Sequence, residues 1–197
     1  MITENEKKVL KLLLFAFGEM YSINRIAKEC GLSPNGAFKM LIKFENEGII
    51  KSQNIGNMKS YKLDFESEKT KNILKLAIIS ELKGKVKFRA DDLKSLKQIT
   101  EVCILFGSYI DLKKEPNDLD LFFVIKDKNF KEYKKQTSLI FKTMPIKVHD
   151  VLQTEEDVVA NLKKKDKVVI EILKTGIILW GFDKVIEMVE HGYQENP

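Results

Sequence analysis

Residues 117–125 read Asn-Asp-Leu-Asp-Leu-Phe-Phe-Val-Ile, an alternation that runs into an unbroken apolar stretch. The pattern predicts a β-strand whose first half is polar on one side and whose second half is buried on both. A period of two puts Asp118 and Asp120 on one face and Leu119 and Leu121 on the other, with the carboxylates about 7 Å apart along the backbone. Two such charges repel unless a cation lies between them. Hard oxygen donors with room for phosphate and water are what magnesium takes, so the pair reads as a divalent-metal site.

The flanking residues extend this reading. An apolar strand, Val102 to Phe106, ends in Gly107 and Ser108. A glycine there lets a ligand approach the backbone, and a serine hydroxyl with neighbouring amides can hold phosphate oxygens, although a Gly-Ser pair alone reads as an ordinary turn. Downstream, Met144–Leu152 forms another short strand in which Asp150 lies amid valine and leucine, where a charge needs a partner. Asp150 is therefore the expected third carboxylate. Asp127, on the opposite face from the pair and among lysines, is a poorer candidate. His149 flanks Asp150 on the opposite strand face, and a structural or solvent-facing role is expected for it.

Together, Gly107, Ser108, Asp118, Asp120 and Asp150 resemble the motif set of the DNA polymerase beta superfamily of nucleotidyltransferases, particularly its minimal members. The likeness covers about residues 85–190 and includes the ending "VVIEILKTGIILWGF". It implies in-line attack by an acceptor hydroxyl on the α-phosphate of an NTP, with pyrophosphate leaving. Asp118, Asp120 and Asp150 would be the catalytic, metal-binding residues for Mg2+, with two ions. Gly107 and Ser108 would position the triphosphate, and Asp150 would help deprotonate the acceptor. Many minimal members continue Gly-Ser with an x-Ala-Arg-Gly type of sequence, whereas this chain has Tyr109, Ile110, Asp111 and Leu112. An acidic Asp111 opposes triphosphate binding unless it turns away, and Lys113 or Lys114 could supply the missing charge.

The first 66 residues have a different grammar. Apolar positions at helical spacing predict a helix over residues 4–17. Ser22 can cap a second that ends at Gly31, and Ser33 followed by Pro34 can start a third that ends at Gly48. Alternation on either side of Gly56-Asn57 then predicts a hairpin. Residues 4 to about 64 resemble the winged helix-turn-helix domains of prokaryotic transcription regulators. The resemblance implies DNA as partner, with Asn35, Lys39 and Lys43 on the third helix and Lys51, Gln53, Asn57 and Lys59 on the wing as contacts. Residues 1–66 carry ten Lys or Arg against eight Asp or Glu, a net charge of only +2, and Phe38 and Met40 stand where base-reading polar side chains are usual. Dimerisation or protein contact is therefore the rival use.

The expected fold class is α+β. A winged helix over residues 1–66 is joined by a connecting helix, 67–84, to a nucleotidyltransferase domain, 85–197, with a small mixed sheet flanked by helices. The formal net charge of +5 and pI near 9.0 permit a polyanionic partner without requiring one. Cys30 and Cys103 fall in separate apolar segments and read as buried thiols. Trp180 reads as a core aromatic and Lys163–Lys167 as a solvated helix face. The N-terminus has neither a signal-peptide pattern nor a membrane span, so a cytoplasmic protein is expected. The leading functional expectation is a magnesium-dependent enzyme that transfers a nucleoside monophosphate to a hydroxyl acceptor on a protein or small molecule. Its rival is a DNA-binding regulator or antitoxin with a nucleotide-sensing or inactive second domain. A toxin partner and a homodimer are compatible with either.

Overall fold

A computed structural model of the protein describes residues 2–17, 19–111 and 116–194. Leu112, Lys113 and Lys114 lie outside the described residues. The chain folds as a mixed α+β protein with two small sheets, and it separates into compact units at residues 1–79 and 80–197. Among the described residues no helix is long and apolar enough to cross a membrane.

In the first unit, Thr3 and Glu6 form a capping box that starts α1 (Glu4–Leu14), three residues shorter at its end than the periodicity suggests. Ser22 caps α2 (Ile23–Cys30), and Gly31 closes it at φ 67°. Ser33 and Pro34 begin α3 (Pro34–Asn46). Strands β1 (Ile50–Ile55) and β2 (Met58–Leu63) pair antiparallel around Gly56-Asn57. Positive φ at Gly56 but not at Asn57 is the sign pattern of a type II′ hairpin turn. Val9, Leu10, Ile26, Leu41, Phe44 and Ile50 are buried at its core. Within the span expected to connect the domains, α4 (Glu68–Ile78) packs on α1 and counts in this unit. Burial of Leu74, Ala77 and Ile78 supplies the reason, because the apolar stripe finds its cover within the same unit.

The second unit opens with α5 (Gly84–Asp92), followed by β3 (Val102–Phe106), β4 (Asp118–Val124), α6 (Phe130–Thr143) and β5 (Lys147–Gln153). Helices α7 (Glu155–Lys163) and α8 (Lys167–Thr175), strand β6 (Ile177–Trp180) and α9 (Phe182–Tyr193) complete it. The sheet order is β5-β4-β3-β6, with β4 and β5 parallel and both β4 and β6 antiparallel to β3. One face carries Cys103, Leu105, Leu119, Leu121 and Phe123 against Val86 of α5 and Tyr133 of α6. The other carries Ile104, against which Gly176 at the end of α8 fits so closely that no Cβ could be added there. Ile104 pairs with Phe122, so this second face is the one shared with Asp118 and Asp120.

Both cysteines are free and buried, and burial pushes both thiols up in pKa. Trp180 is a core residue whose indole N–H donates to Thr100 Oγ1 at 3.1 Å. The Lys163–Lys167 run is not a helix face. α7 ends at Lys163, Lys165 adopts φ 57°, and Asp166 caps α8, so the lysines span a helix-to-helix turn.

Candidate metal centre and nucleic-acid face

Asp118 and Asp120 occupy the first turn-side positions of β4, where its apolar run has yet to begin. Their side chains retain 33% and 25% of their exposure, enough to admit a ligand while Leu119 and Leu121 behind them are fully buried. Asp120 pairs across the sheet with Phe106, which places it beside the turn that follows β3. Gly107 starts that turn at φ 72°, and a Cβ added there would collide with the Asp120 carboxylate. Ser108 follows, half-buried, in the same 3-10 turn. Gly107 thus brings bare backbone against the Asp120 carboxylate.

The third carboxylate is where the structure departs from expectation. In the parallel pairing of β4 with β5, Asp120 stands opposite His149, and Leu121 stands opposite Asp150. Paired residues of adjacent strands share a face, so Asp150 points away from Asp118 and Asp120, toward α6. There its Oδ2 accepts a hydrogen bond from the Tyr133 hydroxyl at 2.9 Å and lies 3.7 Å from Lys134 Nζ. Asp150 is therefore not a member of the site. Its partners offset the cost of a carboxylate on an apolar strand. Burial first, and then the Asp150 charge, push the Tyr133 phenol far up in pKa.

His149 takes the vacated position. Its Nδ1 lies 3.4 Å from Asp118 Oδ2 and 3.6 Å from Asp120 Oδ1. One ligand atom from each of Asp118, Asp120 and His149 can be chosen so that all lie within 4.8 Å of one another. Two carboxylates and an imidazole at this spacing can hold one metal ion. The sequence reading placed His149 and Asp150 on opposite strand faces and His149 toward solvent, and both hold; the side chain that shares the aspartates' face is His149 and not the expected Asp150.

A cleft of about 490 Å³ opens beside Gly107, lined also by Ile110, Lys167, Glu171 and Thr175. Lys167 and Glu171, both of α8, put one cation and one carboxylate on the wall of that cleft. A second cation, Lys85 of α5, lies over the Tyr109 ring at 5.0 Å and reaches the Asp111 carbonyl oxygen at 3.5 Å.

The seven residues expected to contact nucleic acid lie on the exposed surface of α3 and the hairpin. Their charge is another matter. Lys43 Nζ binds Glu6 Oε1 at 2.7 Å, Lys51 binds Asp64 at 2.9 Å and Glu66 at 3.1 Å, and Lys59 binds Glu45 at 3.2 Å. Three of the four lysines are thus engaged within the unit. Phe38 and Ile42 share the exposed face of α3 with Asn35 and Lys39, at 43% and 39% exposure.

No protein-family model matches the chain, and no curated protein matches it. Among solved structures, the chain is similar to ZitR of Lactococcus lactis. A variant form matches with a TM-score of 0.33 and 17% identity, over 72% of this chain and 74% of that chain. Wild-type ZitR in complex with DNA matches with a TM-score of 0.33 and 16% identity, over 73% and 77%. At these TM-scores the likeness assigns neither fold nor function.

Proposed function

We propose that residues 80–197 form a polymerase-beta-like nucleotidyltransferase unit and that Asp118 and Asp120 hold a divalent cation against the phosphates of an NTP. The observation that carries this reading is the junction of Gly107 with Asp120, where exposed backbone touches a carboxylate whose neighbour on the same face is another carboxylate. The bound cation would neutralise phosphate charge and stabilise the charge that develops at the leaving pyrophosphate. The chain's own residues do the positioning. Asp118 and Asp120 fix the metal, the Gly107-Ser108 turn seats the phosphates, and Lys167 offers a charge at the cleft. Asp150 takes no part, so acceptor deprotonation falls to solvent or to the acceptor's own surroundings.

The first unit, with three helices followed by a hairpin, is read as a winged helix that brings the second to DNA or to a protein partner. A second reading has a specific observation behind it. With Asp150 turned toward Tyr133, no third carboxylate joins Asp118 and Asp120 among the described residues, which suits a DNA-binding regulator or antitoxin whose second unit binds nucleotide without turning it over. Incubation with each of the four labelled NTPs and with Mg2+ or Mn2+, with and without host lysate, separates the two. Label transfer by wild type and not by the Asp118→Ala, Asp120→Ala double variant establishes the enzyme. Nucleotide binding without transfer or pyrophosphate release establishes the regulator.

A further inference from the structure

The geometry points to His149 as a third metal ligand that makes the Asp118–Asp120 site select a first-row transition dication, such as cobalt or zinc, over magnesium. This rests on the metal-site half of the proposed function and not on its chemistry. For metal-ligand bonds of about 2.0–2.2 Å, neighbouring ligand atoms in tetrahedral or octahedral geometry lie about 2.8–3.6 Å apart. The His149 Nδ1 separations from the two carboxylate oxygens, 3.4 and 3.6 Å, already fall in that range. The three ligand atoms all lie within 4.8 Å of one another, close enough for one ion to draw them together.

The register explains why the imidazole stays there. Asp120 and His149 are direct partners in the parallel ladder, so the backbone of both strands fixes their common face. His149 is 46% exposed, and its position is not set by core packing. Chemistry sets the selectivity. Magnesium is a hard ion that takes oxygen and keeps several waters, whereas an imidazole nitrogen suits the later transition metals. Replacing the expected carboxylate by imidazole also makes the ligand set less negative, which weakens its hold on an ion bound mainly by charge.

The test is metal binding by the full chain without nucleotide. Cobalt and magnesium affinities are measured by calorimetry for wild type, His149→Gln, His149→Asp and Asp150→Asn, with circular dichroism to verify folding. His149→Gln is expected to lose cobalt affinity by at least the roughly 10–100-fold that even outer partners of a metal ligand are worth, with magnesium affinity little changed. His149→Asp should narrow the gap from both sides, and Asp150→Asn should change neither. The chain has two histidines. Zinc should therefore shift the ring-nitrogen resonances of one histidine, assigned by its loss in His149→Gln, and magnesium should not. Cobalt affinity unchanged in His149→Gln overturns the inference, as does wild type binding magnesium as tightly as cobalt. In those cases a magnesium-dependent transferase would still stand, because label transfer is scored separately.

Discussion

The Asp120 carboxylate lies where a Cβ on Gly107 would have to go. Gly107→Ala should therefore act twice. The positive φ costs about 1–2 kcal/mol in a non-glycine residue, and the new methyl group must push Asp120 away from Asp118 and His149. Divalent-metal affinity should fall by about tenfold or more, against a loss of thermal stability no larger than the backbone term alone predicts. Metal affinity equal to wild type would show that the contact is mere packing.

Asp150 and Tyr133 make the opposite prediction. Their hydrogen bond ties β5 to α6 on the face away from the metal centre, so Tyr133→Phe should cost about 1–2 kcal/mol in urea unfolding and leave metal affinity intact. The single, buried Trp180 lies in the same unit and reports that transition by fluorescence. The alkaline limb carries a further signature. With its pKa raised in the folded state, the Tyr133 phenol contributes stability that is present below the ordinary tyrosine value of about 10 and is lost as pH rises past it. Tyr133→Phe should flatten that loss. A steep alkaline limb that persists in the variant would assign it to other groups.

Glu6 makes an acid-side counterpart in the first unit. Burial opposes its ionised form most strongly, but hydrogen bonds from Lys43 and Thr3 prevail and hold its carboxyl below the usual range. The stability it contributes is present above the unfolded value of about 4.3 and is lost as pH falls through the lower folded value. Glu6→Gln should cost up to about 1 kcal/mol at neutral pH through loss of the ion pair with Lys43, since glutamine can still serve the capping box. The variant's unfolding curve should then vary less than that of wild type between neutral and strongly acid pH.

What was readable from the residues divides along physical lines. The caps at Ser22, Ser33 and Gly31, the Gly56-Asn57 turn and the shared face of Asp118 and Asp120 are all decided within a few residues of chain, and each stands where local chemistry puts it. Which β5 side chain shares the face of the two aspartates is decided by the register of β5 against β4, across the whole of α6. Two adjacent ionisable residues, His149 and Asp150, meant that a one-residue difference in register exchanged their roles. A carboxylate on an apolar strand did signal a need for a partner, but Tyr133 answered it as well as a metal would have. The lysine run failed as a helix face for a related reason. Asp166 inside it is a good helix cap, and that local preference outweighed the continuity of charge.

The ion pairs of the first unit carry the last prediction, because they set how strongly that unit can bind DNA. Nonspecific affinity and its salt dependence grow with the number of phosphates that lysines neutralise. Lys43, Lys51 and Lys59 already face Glu6, Asp64, Glu66 and Glu45, so each must exchange a carboxylate for a phosphate and gains correspondingly little. Wild type should show weak nonspecific DNA binding with a shallow salt slope. Glu6→Gln together with Glu45→Gln releases Lys43 and Lys59, and should raise affinity at low salt while steepening the slope of log K against log salt by about one to two. Fluorescence anisotropy with a short duplex across a salt series measures both. Unchanged affinity and slope would mean that DNA does not meet α3 and the hairpin at these lysines. The exposed Phe38 and Ile42 would then mark that face for a protein partner instead.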